Sequence, residues 1–341
     1  MSKRVSIKNI AEELGISIMT VSRALNNRPN VDEKTRGRVV EAVRRLGYIP
    51  NSLAVSLAQR KTYTIGVVVP EITNSFFYHV ISGIEEIAYS QGYQLMLNHS
   101  AEDANREMSA IQTLASKRVD GLLVSVANTV KDYSIYKQII KLGMPVVFFD
   151  RCISGIGASC VRVNDMEGAK AITNYLISLG HKRIANLCGP QTSPIGRARL
   201  EGFKEALKEN NIKPVKELVV ESGLRSAGGY EAMKNIFRQV GGKLPTAVCA
   251  VADPAAFGAM KAIKEAGLKV PDDISVVGFS DDIRAQLVFP SLTTVRQPAY
   301  EVGLRAAQKL IAHIEDKDEA EEEIIIKTEL VIRQSCKAAE R

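Results

Sequence analysis

The sequence predicts an α/β protein made of a small N-terminal helical segment followed by two doubly wound parallel sheets. Three short helical patterns fill about the first 50 residues, whereas buried strands alternate with amphipathic helices after Lys61. Continuous Val- and Ile-rich strands separated by helices are typical of parallel sheets with helices on both faces. The chain has more such strands than one domain usually needs, so we predict two similar α/β lobes with a cleft between them.

The helical patterns come first along the chain. One spans residues Ile7–Leu14 and ends at Gly15, a residue typical of helix ends. The next, Ile18–Leu25, follows after only a few residues, and a third covers residues 32–46. Residues 51–59 allow one or two further helical turns. Two helices joined by so tight a turn predict a helix-turn-helix.

Seven apolar segments in the remaining chain are predicted to be strands. Amphipathic stretches such as 76–90 and 102–117 separate them, with the periodicity of surface helices. In chain order, the predicted strands are residues 64–70, 93–98, 121–126, 145–150, 183–189, 246–253 and 274–281.

Composition and length are those of an ordinary globular chain. Its 341 residues are 45% hydrophobic and 24% charged, which suffices for two or three domains. No run of about 18 apolar residues is present, and the N-terminus MSKRVSIKNIAEELG has no apolar signal-peptide core. We therefore expect a cytoplasmic protein without a membrane partner. Reduced thiols are expected at the five scattered cysteines, Cys152, Cys160, Cys188, Cys249 and Cys336.

Positive charge is concentrated at the N-terminus. Residues 1–61 hold 12 Lys and Arg against 5 Asp and Glu, a net charge of +7, which equals the net charge of the whole chain. The other 280 residues carry 33 charges of each sign and are neutral. A polyanion partner for the N-terminal segment is one explanation, and a solvated basic helix face is the other.

Motifs typical of enzymes are missing. The sequence contains no G-x-G-x-x-G after a strand, no G-x-x-x-x-G-K-[ST], no H-E-x-x-H and no C-x-x-C. The histidines have no partner at metal-ligand spacing, so we expect packing or surface roles, no metal and no cofactor. They are His79, His99, His181 and His313. Carboxylates at predicted strand ends, such as Asp150, Asp253 and Asp281, leave open a catalytic or a ligand-binding role.

The segment GISIMTVSRALN, residues 15–26, has two chemically different faces when it is wound as a helix. At about 100° per residue, one face is a short apolar stripe that can pack on the preceding helix: Val21, Ala24 and Leu25, with Ser17. The opposite face mixes apolar and hydrogen-bonding side chains: Ile18, Met19, Ser22, Arg23 and Asn26. Such a face suits a DNA major groove, where Arg and Asn meet base edges and an apolar side chain meets a thymine methyl. In a helix-turn-helix the second helix enters that groove, with its N-terminal residues leading.

Several stretches resemble the lactose-repressor (LacI/GalR) family. The resemblance is carried by VSIKNIAEELGISIMTVSRALN, VDEKTRGRVVEAVRRLGYIPN and NSLAVSLAQRKTYTIGVVVPEITNSFF, and continues through RVDGLLV, PVVFFDR, LGHKRIANLCGP, ISVVGFSDD and PSLTTVRQPAYEVG. It covers nearly the whole chain in order. The resemblance implies a dimeric transcription regulator that binds a pseudo-palindromic double-stranded DNA operator. It favours a repressor over an activator, although the sequence itself does not distinguish the two.

The resemblance divides the chain into a headpiece at 1–50, a hinge at 51–61 and an effector-binding and dimerisation domain at 62–341. The resemblance also implies five residues that contact DNA phosphates and so fix where the protein lies on the duplex: Ser6, Thr20, Asn26, Thr35 and Arg36. The hinge would order only when paired on DNA. Within it the family places a leucine wedge in the minor groove at Leu57, with Ala54 and Asn51 also near DNA.

The second part resembles two-lobed periplasmic sugar-binding proteins. The resemblance implies chain crossings near 161–164, 290–293 and 322–325. The first lobe is then expected at 62–161 and 293–322, and the second at 163–290 and 325–341. A small-molecule effector would bind between the lobes. The implied contacts are Phe76, Asp150, Arg199 and Asp281. Arg199 and Asp150 are expected to face each other and clamp the effector.

Three positions depart from the family's cleft pattern. Ala252 stands where many members have asparagine, Ser280 where aspartate is frequent, and Leu224 where a cleft aromatic is frequent. These losses leave open a phosphorylated or acidic ligand, a protein corepressor or no effector. A solute-binding protein and an α/β enzyme acting in the cleft are the alternative functions. The basic headpiece opposes the first, and the missing catalytic constellation opposes the second.

Overall fold

The computed structural model describes residues 5–26, 28–48, 61–316 and 318–339. The chain divides into two compact units, Met1–Thr62 and Tyr63–Arg341. The hinge segment expected at 51–57, with Asn51, Ala54 and Leu57, lies outside the described residues. Among those described, none of the helices combines the length and the apolar character that a membrane span needs.

The first unit contains three helices at the predicted positions: α1 (Ile7–Leu14), α2 (Ile18–Leu25) and α3 (Glu33–Leu46). The side-chain oxygens of Ser6, Ser17 and Asp32 cap the starts of α1, α2 and α3, respectively. Each oxygen accepts a hydrogen bond from a backbone N–H three residues further along. Gly15 ends α1 in the left-handed conformation, with φ of 65°, which glycine adopts without steric penalty. The core of this unit consists of Ile10, Ala11, Val21, Ala24, Val39 and Ala42.

The second unit begins with the elements of the first lobe. They are β1 (Thr64–Val69), α4 (Ser75–Ser90), β2 (Gln94–His99), α5 (Ala104–Ser116), β3 (Gly121–Val124), α6 (Ser134–Lys141), β4 (Val146–Phe149) and β5 (Ser159–Val163). Two later elements complete this lobe, α11 (Ala299–Glu315) and β11 (Glu323–Ile326). The sheet has the order β11-β5-β4-β3-β1-β2, and its paired strands are parallel.

The second lobe repeats this architecture. Its elements are α7 (Asp165–Ser178), β6 (Ile184–Cys188), α8 (Pro194–Glu209), β7 (Val219–Glu221), α9 (Ser226–Gln239), β8 (Ala247–Ala250), α10 (Asp253–Glu265), β9 (Ser275–Ser280), β10 (Thr293–Arg296) and β12 (Glu329–Val331). The sheet order is β12-β10-β9-β8-β6-β7, and β12 pairs antiparallel with β10.

Side-chain alternation explains why helices cover both faces of each sheet. In β1, Val67 and Val69 pack in one core with α4 and α11, whereas Val68 packs in a second core with α5 and α6. Because successive side chains of a strand point to opposite faces, an all-apolar strand needs cover on both sides. Gly83 of α4 and Gly303 of α11 allow their helices to approach closely, since a Cβ on either glycine would lie within 2.2 Å of a backbone oxygen.

The second and third crossings between the lobes lie later than expected. Thr293–Arg296 was assigned to the first lobe, but it forms β10 and pairs with β9 of the second sheet. Residues 323–326 are expected at the third crossing and the start of the second lobe, but Glu323–Ile326 forms β11 and pairs with β5 of the first sheet. The first change of lobe lies between Val163, the last residue of β5, and Asp165, the first residue of α7. These short strands contain few buried apolar residues, so the hydrophobic pattern of the sequence does not indicate which of the two sheets each strand joins.

The expectation of five reduced cysteines is wrong for one pair. Cys152 and Cys160 form a disulfide. The connection between β4 and β5 brings the two Cα atoms to 5.9 Å from each other, a distance that permits a disulfide bond. The spacing of the two cysteines in the sequence does not reveal this proximity. Cys188, Cys249 and Cys336 are free thiols.

Candidate nucleic-acid interface and inter-lobe site

Helix α2 divides its side chains as its sequence predicts. Val21 and Ala24 are buried in the three-helix core. Ile18 and Met19, the leading residues of the helix, keep 48% and 62% of their surface exposed. Arg23 is exposed, and Ser22 is half-buried. Two large apolar side chains thus face outward beside an arginine, on the second helix of a helix-turn-helix.

Several polar side chains expected to contact DNA make local hydrogen bonds. Ser6 caps α1 in a reciprocal arrangement with Asn9. The Thr20 hydroxyl is 2.9 Å from that of Ser17. Asn26 Nδ2 donates to the Ser22 carbonyl at 2.8 Å. Each of these bonds fixes the conformation of a helix end.

Arg36 has a different environment from the one expected of a phosphate contact. Its guanidinium donates to the carbonyl oxygens of Ala24 and Arg28, each at 3.1 Å, and of Val31 at 3.5 Å. Arg36 therefore connects α3 to the end of α2 and the segment that follows it. Thr35, the neighbouring expected contact, is half-buried, and its N–H is held by Asp32.

Backbone strain in the second unit concentrates at the carboxyl ends of its strands. Non-glycine residues with positive φ follow β2 (Ala101 and Glu102), follow β4 (Asp150) and end β9 (Ser280 and Asp281). Such conformations persist where surrounding structure holds them, and they cluster at ligand sites. In open parallel sheets this edge is where ligands bind.

Asp150 and Arg199 are close enough for their charges to interact, and each has other partners. Asp150 is buried, accepts a hydrogen bond from Ser125 Oγ at 3.3 Å and lies 3.6 Å from Arg151 Nε. Burial raises the pKa of Asp150 to about 6, and the positive charges of Arg151 and Arg199 oppose this shift. The carboxylate is thus held in a polar but dehydrated position, close enough to Arg199 for their charges to interact.

Asp165 is a partner of Arg199 that the sequence analysis missed. Arg199 is buried, and its Nε and Nη2 lie 2.8 and 2.7 Å from Asp165 Oδ1. Nη1 donates to the Val251 carbonyl at 2.6 Å, and the guanidinium carbon lies 3.7 Å from the centre of the Phe279 ring. Arg199 therefore braces the start of α7 against β8 and β9. Asp165 immediately follows the first crossing, a position that could have suggested it.

The aspartate that contacts the first lobe is Asp282, and the expected Asp281 is occupied elsewhere. Asp281 accepts from Arg333 at 2.6 Å and from Arg296 at 2.8 Å, both in the second lobe. Asp282 is buried, and its Oδ2 accepts from Ser75 Oγ of α4 at 3.0 Å. The difference arises because the strained backbone at the end of β9 turns the two consecutive carboxylates in different directions.

A second contact joins the lobes at the same edge. Arg225 Nη2, before α9, donates to Glu71 Oε2, after β1, at 3.0 Å. Together with Ser75 and Asp282 it gives two polar links between the lobes. Both links use residues that follow or precede strands at the carboxyl edge.

Phe76 is not placed as an exposed cleft aromatic. It is buried in the first-lobe core, and its ring packs edge-on against Phe77 at 5.2 Å between centroids. Two of the three departures from the family pattern, Ser280 and Leu224, make contacts within the second lobe. Ala252 begins α10 without a side-chain cap, Ser280 Oγ donates to Gln297 Oε1 at 2.9 Å, and Leu224 packs against the second-lobe core.

Asp253, which follows Ala252, is fully buried beneath this edge. It accepts from the Asp282 N–H at 2.7 Å and from Thr294 Oγ1 at 2.6 Å. Burial raises its pKa to about 7. Asp253 thus fixes the backbone of Asp282 by a hydrogen bond, which is a positioning role in the second lobe.

Glu102 anchors the corresponding edge of the first lobe. It accepts from the Asn128 N–H at 2.8 Å and from Arg151 Nη1 at 2.6 Å. It also accepts the Thr129 hydroxyl through its backbone oxygen. One residue thereby ties together the segments that follow β2, β3 and β4, including the residue next to Asp150.

Two histidines have packing roles. The ring nitrogens of His181 lie 3.0 Å from Thr246 Oγ1 and from the Lys337 carbonyl, and His313 Nε2 lies 2.9 Å from Ser159 Oγ. Among the residues that the structure describes, no group of three His, Cys, Asp or Glu side chains is arranged to hold a metal.

Comparison with known proteins identifies both units. Residues 6–51 match the family of bacterial regulatory proteins of the lacI type, and residues 173–336 match a periplasmic binding protein-like domain. The chain is 36% identical to the HTH-type transcriptional repressor PurR of Histophilus somni over 333 residues, covering 97% of this chain and 99% of PurR. It is 32% identical to catabolite control protein A of Priestia megaterium over 335 residues, covering 98% and 99%.

A solved structure with the same fold is the Lac repressor dimer bound to operator and the anti-inducer ONPF. It has a TM-score of 0.88 and 28% identity, and the match covers 98% of this chain and 100% of that one. The helix-turn-helix and the two-lobed unit place the chain among DNA-binding transcriptional regulators and not among enzymes. The chain belongs to the LacI family.

Proposed function

We propose that this chain represses transcription as a cytoplasmic homodimer whose affinity for a pseudo-palindromic operator depends on a ligand between its lobes. The observation that best supports DNA binding is the exposed face of α2. There Ile18, Met19 and Arg23 are exposed while Val21 and Ala24 fill the core. The net charge of +7 in residues 1–61 supplies the attraction to phosphate.

The hydrogen bonds that the other polar residues make within the headpiece distinguish direct DNA contacts from positioning roles. We propose that Arg23 contacts a base edge or a phosphate. We place Ser22 on the same DNA-facing side of α2. Arg36 positions the end of α2 through its carbonyl bonds. Helix-end residues such as Ser6 and Asn26 can contribute to phosphate binding through the backbone groups they order. For the hinge, Leu57 is proposed as a minor-groove wedge beside Ala54 and Asn51.

The effector is proposed to bind at the facing carboxyl edges, between Asp150 of the first lobe and the segment of Arg199 and Asp282 in the second. Two links join the lobes there, Ser75 to Asp282 and Glu71 to Arg225. A ligand controls DNA affinity only by as much as it favours one arrangement of the lobes. Binding at this edge acts directly on the contacts that change when the lobes move.

Charge pairing at this edge favours a neutral, hydroxyl-rich ligand over a phosphorylated or acidic one. Four arginines at the edge each bind a carboxylate: Arg151 with Glu102, Arg199 with Asp165, Arg225 with Glu71, and Arg284 with Asp282. Asp150, in contrast, receives one neutral hydroxyl bond and a more distant arginine. A buried carboxylate of this kind accepts hydrogen bonds, so it suits a ligand that donates them.

Homodimer formation is supported by apolar side chains on the surface of the second unit. Tyr78 and Tyr89 lie on one face of α4 and are largely exposed, and Leu287 and Phe289 are exposed in the second lobe. Large exposed apolar side chains of this kind are typical of protein interfaces. Sedimentation at micromolar protein should show a dimer, and a monomer would contradict this part of the proposal.

The proposed DNA binding is tested in two steps. Bound duplexes are first selected from a random pool with the wild-type protein, and the affinity of the Arg23→Ala variant for the selected operator is then measured. If Arg23 reads a guanine edge, the variant should lose roughly 1–3 kcal/mol on the selected operator and discriminate less at one position. If Arg23 binds only phosphate, the loss should be similar on all sequences, and the salt slope should fall by about one. Arg106→Ala, on the exposed surface of α5, is the matched control. Unchanged binding by Arg23→Ala would remove Arg23 from the interface.

A further inference from the structure

The apolar start of α2 is unusual for a surface in water. Ile18 and Met19 occupy the first turn and are 48% and 62% exposed. The helix buries its other apolar residues, Val21 and Ala24, in the core. A repeat of about 100° per residue places the leading pair away from that core. Their exposure is therefore a result of helix phase.

Hydrogen-bonding groups around this pair are largely satisfied within the helix. Ser17 Oγ accepts from the Thr20 N–H at 3.0 Å and is 2.9 Å from the Thr20 hydroxyl. Asn26 Nδ2 donates to the Ser22 carbonyl. The leading end of α2 thus offers mainly apolar surface, with the cation of Arg23 one turn further along.

Among the groups that base pairs present in the major groove, the thymine C5 methyl is the apolar one. Isoleucine has no polar side-chain atom, and the methionine sulfur is only a weak acceptor. Neither can read a base through a donor, but both can bury a methyl group. The basic charge of residues 1–61 complements the phosphates on either side.

We infer that Ile18 and Met19 read thymine methyl groups, so that each operator half-site carries thymines where the first turn of α2 lies. This inference rests on the proposed placement of α2 in the major groove. It assigns part of the sequence specificity to apolar burial, separate from any hydrogen bonds that Arg23 makes. Burial of one methyl group corresponds to roughly a fourfold change in affinity.

Deoxyuridine substitution tests the inference because it removes only the C5 methyl and keeps base pairing. The full-length protein would first select an operator from a random duplex pool. Each thymine of that operator would then be replaced singly by deoxyuridine, and affinities measured at fixed salt. We expect roughly fourfold weaker binding at one or two positions in each half-site, and little change at the other thymines.

Protein variants connect those positions to the two residues. Ile18→Ala or Met19→Ala should bind the thymine and deoxyuridine operators with nearly equal affinity at the position each residue reads. Met19→Leu, which keeps an apolar side chain, should retain the discrimination. Leu142→Ala, an exposed apolar position on the second unit, should behave as wild type. Circular dichroism checks that the variants remain folded.

The outcomes separate this inference from the proposed function. A selected operator whose affinity is unaffected by deoxyuridine at every thymine overturns methyl reading and leaves the DNA placement intact. Discrimination that persists in both alanine variants also overturns it. Variants that change dimerisation but not thymine discrimination would show that the pair packs against protein. Failure to enrich any sequence would refute the DNA placement itself.

Discussion

Replacement of Arg199 by alanine should destabilise the second lobe, whether or not Arg199 also binds effector. Its guanidinium is buried against Asp165 at 2.7 Å and donates to the Val251 carbonyl at 2.6 Å. It also stacks on the Phe279 ring at 3.7 Å. Removal of the side chain leaves the Asp165 carboxylate buried without its cation.

The expected magnitude follows from that loss. Breaking a buried ion pair by removing one partner typically costs about 3–5 kcal/mol, because the remaining charge is uncompensated. Loss of the ring contact adds to this, at about 1 kcal/mol for a partly desolvated cation–π pair. We therefore expect the free energy of unfolding to fall by about 4–6 kcal/mol.

Urea unfolding at a fixed protomer concentration measures the effect, since dimerisation makes stability depend on concentration. Asp165→Asn combined with Arg199→Gln removes both charges while keeping groups that can hydrogen-bond, so the pair should recover most of the loss. The matched control is Arg197→Ala on the same helix. That side chain is exposed, and within the part of the chain that the structure describes it donates to the carbonyls of Gln191 and Thr192.

A loss below about 1 kcal/mol in Arg199→Ala would refute the bracing role, as would a double variant no more stable than the single one. If the charge-free pair is stable but no longer responds to effector, Arg199 or Asp165 takes part in sensing as well. If the response survives, the pair serves only to hold α7 against the sheet.

Three further predictions concern other parts of the two units. Burial raises the pKa of Asp253 to about 7, so the folded state favours its protonated form and stability should fall as pH rises from about 4 to 7. Asp253→Asn should abolish this fall, so its stability relative to wild type should rise by about 3 kcal/mol from pH 5 to pH 8 in urea unfolding; parallel pH profiles would contradict it. Ser75→Ala removes a hydrogen bond to Asp282 and should make the lobes more open in solution scattering, whereas an unchanged profile would rule out that link as a restraint. Val21→Ala should destabilise the headpiece by about 2 kcal/mol in thermal unfolding, and Met19→Ala by less than about 0.5; equal effects would show that the helix phase is wrong.

Strong periodicity made much of the fold predictable. The three helices of the headpiece begin and end where capping residues and glycines indicate, as at Gly15. All seven apolar strands predicted from sequence are present. Most of them are buried on both faces and so read as continuous apolar runs, whereas β2 is partly exposed. Three of the missed strands, β7, β11 and β12, lie at sheet edges, whereas β5 and β10 are internal strands that contain Ser, Thr and Arg. β7 has three residues and β11 carries exposed positions, so neither has a distinctive pattern.

The candidate sites were predictable where they depend on local phase and less so where they depend on partners. Helix phase alone placed Ile18 and Met19 outward. The strained turn at the end of β9 decides whether Asp281 or Asp282 faces the first lobe. The sequence pattern does not show this turn. The Asp165–Arg199 pair joins residues 34 positions apart, and only the packing of α7 against α8 brings them together.

Affinity for the selected operator, compared with a scrambled duplex of equal length over a range of salt, tests the central claim most directly. We expect specific binding at least about 10³-fold tighter at physiological salt. The logarithm of affinity should also fall linearly and steeply with the logarithm of salt concentration, because the headpiece neutralises phosphates. Equal affinity for both duplexes, or binding indifferent to salt, would contradict the assignment of this chain as a sequence-specific DNA-binding repressor.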